Sequence, residues 1–195
     1  MGPWLGVDVG GKRKAFDVAL VEDHKLVGLR SRQSADDVVS WVLEAKPTVV
    51  AVDSPRSCAP DGTTYRACEK ELHERVCGIR WTPSRDKLQG NPYYEWIVEG
   101  RRLYEALQGR PVTVIECFPT ASWTRWHGAR NGRSRAEWSR EALDALGLDG
   151  LPAATNQDER DAIAAAVTAR DYERDRCERY GEIVVPLSAC RATSR

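Results

Sequence analysis

Trp4-Leu5-Gly6-Val7-Asp8-Val9-Gly10-Gly11 opens a stretch that continues through Ala15-Phe16-Asp17-Val18-Ala19-Leu20-Val21, Glu22-Asp23-His24 and Lys25-Leu26-Val27-Gly28-Leu29, and residues 4–29 set the architecture. The first two runs are short, apolar and rich in β-branched residues, the pattern of buried strands, and Gly10-Gly11 marks the turn between them. A third strand near 25–29 follows Glu22-Asp23-His24, so the chain opens as a three-stranded antiparallel meander rather than as a strand-helix unit. Ser34 then caps a helix over 35–45 whose Val38, Val39, Trp41 and Val42 form an apolar face. Pro47 closes it before a strand at 48–53, giving the order βββαβ.

Residues 56–110 form a longer excursion, with a turn at Pro60-Asp61-Gly62, a charged helix over 63–76, a loop over 78–92 holding Pro83, Gly90 and Asn91-Pro92, and a helix over 93–108. A strand at 112–116 follows, then an irregular stretch, a short helix over 135–146, a helix over 157–176 and a strand at 183–186. The expected class is α/β: a mixed sheet, antiparallel meander plus parallel strands, flanked by helices, with a helical insertion at about 56–110. The expected organisation is one domain over 1–187, with a frayed tail at 188–195.

Three of these apolar runs end on a carboxylate: Asp8 closes 4–8, Asp53 closes Val49-Val50-Ala51-Val52, and Glu116 closes Val112-Thr113-Val114-Ile115. In parallel neighbouring strands the carboxyl ends share one edge of the sheet, so the three acids converge there. Two unit charges 4 Å apart repel by about 4 kcal/mol at an effective dielectric of 20, and a cluster of them needs a cation, a shared proton or a bound base. The helix beginning at Asn156-Gln157-Asp158-Glu159 has the form of a capping box. Asp158 and Asp161 share a face that continues as a strip of Ala162, Ala165, Ala166 and Ala169, and small side chains let a helix lie close to a sheet. The aspartates would then sit level with the strand ends. Hard cations such as Mg²⁺ or Mn²⁺ take such oxygen ligands, whereas His24, His73 and His127 are scattered and no Cys pair offers a zinc site.

Each acid also has a structural reading. Asp8 and Asp53 precede turn-forming residues, Asp158 suits the first turn of a helix through the helix dipole, and Glu116 fits a partner arginine from 56–110 as well as a metal. Composition excludes more than it selects. Lys plus Arg and Asp plus Glu are 29 each in 195 residues, so no bulk positive charge announces nucleic acid. The six cysteines show no CxxC spacing and are expected as reduced thiols. With no signal-like or membrane-spanning run, the expectation is a cytoplasmic protein without membrane contact.

The order Gly6-Val7-Asp8, Ala51-Val52-Asp53-Ser54-Pro55, Cys68, Ile115-Glu116-Cys117-Phe118-Pro119 and Asp158-Glu159-Arg160-Asp161-Ala162 resembles domain-of-unknown-function family 429 across about residues 4–175. Its members are predicted nucleases of the RNase H-like fold, and Asp158-x-x-Asp161-Ala162 is also similar to the last helix of the Holliday-junction resolvases of that superfamily. By position, Asp8 matches the acid of the first strand, Asp53 that of the fourth, Glu116 the family's strand-end Glu, and Asp161 with Asp158 the acids of the final helix. The chain departs from the family at Cys117-Phe118, where members commonly carry an apolar residue and His, and the excursion at 56–110 has no counterpart in the best-known nucleases of the fold.

Converging acids and resemblance together imply a nuclease that hydrolyses nucleic-acid phosphodiesters by a two-metal carboxylate mechanism. Asp8, Asp53, Glu116 and Asp161 would be catalytic, and Asp8, Asp53, Asp158 and Asp161 would hold Mg²⁺ or Mn²⁺. Junction-cutting relatives act as dimers, which implies a homodimer, although no exposed apolar stripe is assigned to an interface. Trp123–Arg140 interleaves Arg125, Arg130, Arg133, Arg135 and Arg140 with Trp123, Trp126 and Trp138. This reads equally as a solvated face over buried tryptophans or as a nucleic-acid groove. In the groove reading Arg125, Arg130, Arg133 and Trp126 contact nucleic acid, Arg80, Arg85 and Lys87 line the other side, and Lys87 steadies charge at the scissile phosphate. Two alternatives stand beside the nuclease. One is a non-catalytic nucleic-acid or protein-binding module of the same fold. The other is a phosphotransferase, because Asp8-Val9-Gly10-Gly11 is similar to the first phosphate loop of the actin and sugar-kinase superfamily; its second Asp-x-Gly turn and adenosine motif are missing.

Overall fold

The computed structural model describes residues 2–188. The strands are β1 (Trp4–Val9), β2 (Phe16–Glu22), β3 (Lys25–Gln33), β4 (Val49–Asp53), β5 (Thr113–Cys117), β6 (Cys177–Tyr180) and β7 (Ile183–Pro186). They form one seven-stranded sheet in the order β3-β2-β1-β4-β5-β7-β6. β1, β2 and β3 make the antiparallel meander, while β1, β4, β5 and β7 run parallel. The helices are α1 (Ala35–Ala45), α2 (Ala67–Arg75), α3 (Arg85–Leu88), α4 (Glu95–Leu107), α5 (Pro119–His127), α6 (Arg135–Ala145) and α7 (Gln157–Glu173). This is the mixed sheet and helical insertion expected.

Strand alternation divides the core in two. Leu5, Val7, Val9, Val18, Leu20, Val50 and Val52 face α1 and α4, where Val38, Trp41, Val42, Leu103 and Leu107 cover them. Trp4, Ala19, Val21, Val49, Ala51, Ile115 and Cys117 face α7, with Trp123 of α5 and Trp138 of α6 packed alongside. The buried tryptophans answer half of the question posed by residues 123–140: Trp123 and Trp138 are core and have no face for a base. No described helix is long and apolar enough to cross a membrane.

α7 is held tightly to the sheet. Its alanines at 162, 165, 166 and 169 are fully buried, and a Cβ added at Gly6 would lie 2.1 Å from the Ala166 nitrogen and 2.2 Å from the Ala162 oxygen. Only a glycine on β1 opposite small residues on α7 permits this approach. The capping box at Asn156 is present, with the Glu159 nitrogen donating to Asn156 Oδ1 at 2.9 Å and the Asn156 nitrogen to Glu159 Oε2 at 2.8 Å.

Four local expectations are corrected. The stretch read as irregular after residue 116 holds α5, which has Pro119 in its first turn and is capped by Gly128 at φ +78°. The expected helix over 63–76 begins only at Ala67, because the turn at 60–63 is closed by Thr63 donating to the Pro60 oxygen. The loop at 78–92 contains α3. α7 ends at Glu173 rather than 176, and 177–180 pairs with β7 through a hairpin turned at Gly181, φ +53°. The expected tail from 189 onward, with Cys190, lies outside the described residues.

Candidate active site

Asp8 is the register partner of Asp53 on parallel β4 and of Asp17 on antiparallel β2. Residues directly opposite on neighbouring strands present side chains to the same face, so Asp17, Asp8 and Asp53 form a row across three strands on the side covered by α7. The first turn and a half of α7 delivers Asp158 and Asp161 to the same place. Asp8, Asp17 and Asp158 each offer an oxygen within 4.8 Å of the others. Of the expected ligands, Asp8, Asp53, Asp158 and Asp161 are therefore together, lining one cleft of about 650 Å³.

Glu116 lines the cleft from elsewhere. Its register partner is Val52, which faces α1 and α4, so alternation turns Glu116 away from the α7 face. There Arg66, from the insertion, grips it with two bonds, Nη1 to Oε2 at 2.9 Å and Nη2 to Oε1 at 2.5 Å, and the Arg56 backbone nitrogen donates to Oε2 at 2.9 Å. Arg66 also bonds Glu69 at 3.0 Å and Glu182 at 3.1 Å. Convergence thus holds for Asp8 and Asp53, whereas Glu116 has the arginine partner from the insertion that was its other reading.

Electrostatics mark the cleft. Burial, reinforced by the charge of Asp161, pushes the Asp53 carboxyl up to about 8. Burial and the neighbouring Asp53, Asp161 and Asp158 carry Asp8 well above the usual carboxylate range. Burial also raises Asp161, against the pull of Arg135, Trp123 and Gln157. Asp161 Oδ1 accepts from Trp123 Nε1 at 2.9 Å, Oδ2 accepts from Arg135 Nη2 at 2.7 Å, and Gln157 Nε2 donates to both at 3.1 and 3.0 Å. Lys14, on the β1–β2 turn, meets Asp158 at 2.6 Å. Both cations are exposed and lie at the mouth of the cleft.

The donor set fits a hard divalent cation. It is all carboxylate oxygen, and Asp17 Oδ1 is buried without a hydrogen-bond partner, an arrangement that is costly unless something electropositive reaches it. Asp17 is the residue that sequence reasoning missed, although an acid inside an otherwise apolar strand was its signal.

The expected nucleic-acid residues scatter. Arg125 is bound to Glu178 and, at 2.7 Å, to Tyr180 Oη. Arg133 is spent on Glu141 at 2.7 Å and the Ala129 oxygen at 3.1 Å. Trp126 packs edge-on against Trp123 at 5.5 Å. Arg130 and Lys87 are exposed, and Lys87 lies outside the cleft, where Arg80 lines the wall instead.

Among curated proteins none matches this chain. The structure of Thermus thermophilus RuvC is similar over 89% of this chain and 96% of its own, at 16% identity with a TM-score of 0.51. T. thermophilus RuvC in complex with Holliday junction substrate is similar over 90% and 96%, at 16% identity with a TM-score of 0.55. At that identity the likeness establishes the fold alone, which is RNase H-like. The family described as "Protein of unknown function (DUF429)" matches residues 6–183, from β1 with its Asp8 to the first residue of β7, and it is to this family that the chain belongs.

Proposed function

We propose that this protein is a metal-dependent nuclease, residues 1–187 acting as one RNase H-like unit, with Asp8, Asp53, Asp158 and Asp161 holding Mg²⁺ or Mn²⁺. The observation that carries the reading is the meeting of these four acids in one cleft, two from adjacent parallel strand ends and two from the start of α7, with the orphaned Asp17 oxygen beside them. A pair of such ions, when bound, supplies a hold on the attacking and leaving oxygens of an in-line phosphoryl displacement.

The chain's own residues supply the rest. Asp53, pushed up to about 8 by burial and then by Asp161, holds a proton at neutral pH beside Asp8, itself raised by burial and then by Asp53, and a bound cation would displace that proton. Trp123 and Gln157 fix the Asp161 carboxylate, so that its oxygens aim into the cleft. Lys14 and Arg135, exposed at the mouth, are free to leave Asp158 and Asp161 for the phosphate of an incoming strand. We assign Glu116 to positioning: through Arg66 it seats the insertion against the sheet edge. Nucleic acid as substrate is supported by the RuvC of similar fold, which is seen with a Holliday junction. The free thiols of the described cysteines support a cytoplasmic setting.

One observation favours a second reading, the non-catalytic module: Lys14 and Arg135 already neutralise two of the acids. A calorimetric Mn²⁺ titration of wild type beside Asp8→Asn separates the two, followed by cleavage assays on DNA and RNA with Asp8→Asn and Asp161→Asn. The nuclease reading expects saturable binding lost in Asp8→Asn and cleavage lost in both variants. Activity retained in both would sink the two-metal mechanism.

A further inference from the structure

The insertion between β4 and β5 exposes aromatic rings that the core does not use. Tyr65, Trp81 and Tyr93 are 38%, 39% and 59% exposed, three of the five large apolar side chains so placed among the described residues. Trp81 leans on Tyr65 at 5.5 Å and on His73 at 5.1 Å, while Tyr93 meets Tyr94 edge-on at 4.9 Å. Between the two groups lies a cavity of about 430 Å³, lined by Ile79, Arg80, Trp81, Lys87, Tyr93 and Tyr94. Ile79 and Arg80 also line the acidic cleft, so the two hollows share a wall. Arg80, Arg85 and Lys87 are exposed and enter no ion pair among the described residues. The nearby Asp86 is turned to Ser84 Oγ at 2.5 Å.

Exposed rings beside unpaired cations fit one ligand chemistry, flat unstacked bases strung on phosphates. In a duplex the base faces are stacked on each other and only their edges are reachable, so rings presented this way have nothing to stack on. We propose that this platform binds single-stranded nucleic acid, with bases on Trp81 and Tyr93 and phosphates on Arg80 and Lys87, and leads the strand past Arg80 into the acidic cleft. The proposal rests on the nuclease reading for its substrate and deepens it to a strand presented singly.

Fluorescence anisotropy with labelled oligo-dT and oligo-U, against a matched duplex, in EDTA to prevent cleavage, tests it. The single strands should bind tighter than the duplex. Trp81→Ala and, independently, Tyr93→Ala should each weaken them about 5- to 100-fold, the loss of one stacked base. Arg80→Ala and Lys87→Ala should each lower the slope of log affinity against log salt by about one. Mn²⁺ titration of Trp81→Ala and Tyr93→Ala should match wild type. Equal affinity for duplex, single-strand affinity unchanged in both aromatic variants, or no oligonucleotide binding by a protein that takes Mn²⁺ would overturn the platform while leaving the metal site standing. Single-strand binding that depends on Trp81 in a protein that takes no Mn²⁺ would uphold the platform and remove the metal reading instead.

Discussion

Asp53→Asn should make the metal-free protein more stable while abolishing its response to metal. The Asp53 carboxyl, driven by burial and then by Asp161, titrates at about 8 in the fold against an ordinary value of 3.8. Between those values the native state holds a proton that the unfolded chain has released, so stability is fully present below the unfolded value and falls as pH rises toward 8. At about 1.4 kcal/mol per pH unit the loss reaches the order of 5 kcal/mol by pH 8. An asparagine amide keeps the shape, donates to Asp8 and has no charge to desolvate. With about 2–4 °C per kcal/mol for a chain of this size, the variant should melt about 10–20 °C above wild type at pH 8 in EDTA, and the gap should close toward pH 4. Mn²⁺ at a hundredfold its Kd adds about 2.7 kcal/mol to a protein that binds it, so wild type should gain several degrees where the variant gains none. Differential scanning calorimetry across pH 4–9, with EDTA and with Mn²⁺, measures both effects. A variant no more stable than wild type at pH 8 in EDTA and still raised by Mn²⁺ would refute the reasoning.

Gly6→Ala drives a Cβ to within 2.1 Å of α7 backbone that cannot yield, so the helix must back away. A loss of about 1–3 kcal/mol or more is expected in chemical denaturation, together with loss of Mn²⁺ binding, since Asp158 and Asp161 ride on that helix. Arg66→Gln leaves Glu69 and Glu116 buried without their cation, a change expected to cost about 3–5 kcal/mol and to be read from the denaturant midpoint. Arg135→Ala frees Asp161 from a competing guanidinium whose side chain is 48% exposed. Pairs of that kind are worth roughly 0.2–1 kcal/mol, so calorimetry should show Mn²⁺ bound more tightly by up to about 5-fold.

Asp8 and Asp53 are legible in the sequence because an acid that ends a buried apolar run stands against a penalty, and the alanine strip beneath Asp158 and Asp161 is legible because helical spacing is periodic. Glu116 obeys the same strand-end rule and still faces the other way, because a face depends on register, and register is set by pairing across the sheet rather than along the chain. The pairing of Val52 with Glu116 decides it. α5 carries its signals in Pro119 and Gly128, yet Thr, Trp and His between them are weak helix formers, and the helix exists because Trp123 has a core to enter and Asp161 to bond. Arg66, Lys14 and Arg135 are hardest to foresee. They come from turns and helix starts, where no period predicts direction, and Lys14 and Arg135, which meet solvent on one side, leave no mark of compulsion in their neighbours. The acids of such a cleft are written by the cost of burying them, whereas the cations that answer them are found only once the chain has folded.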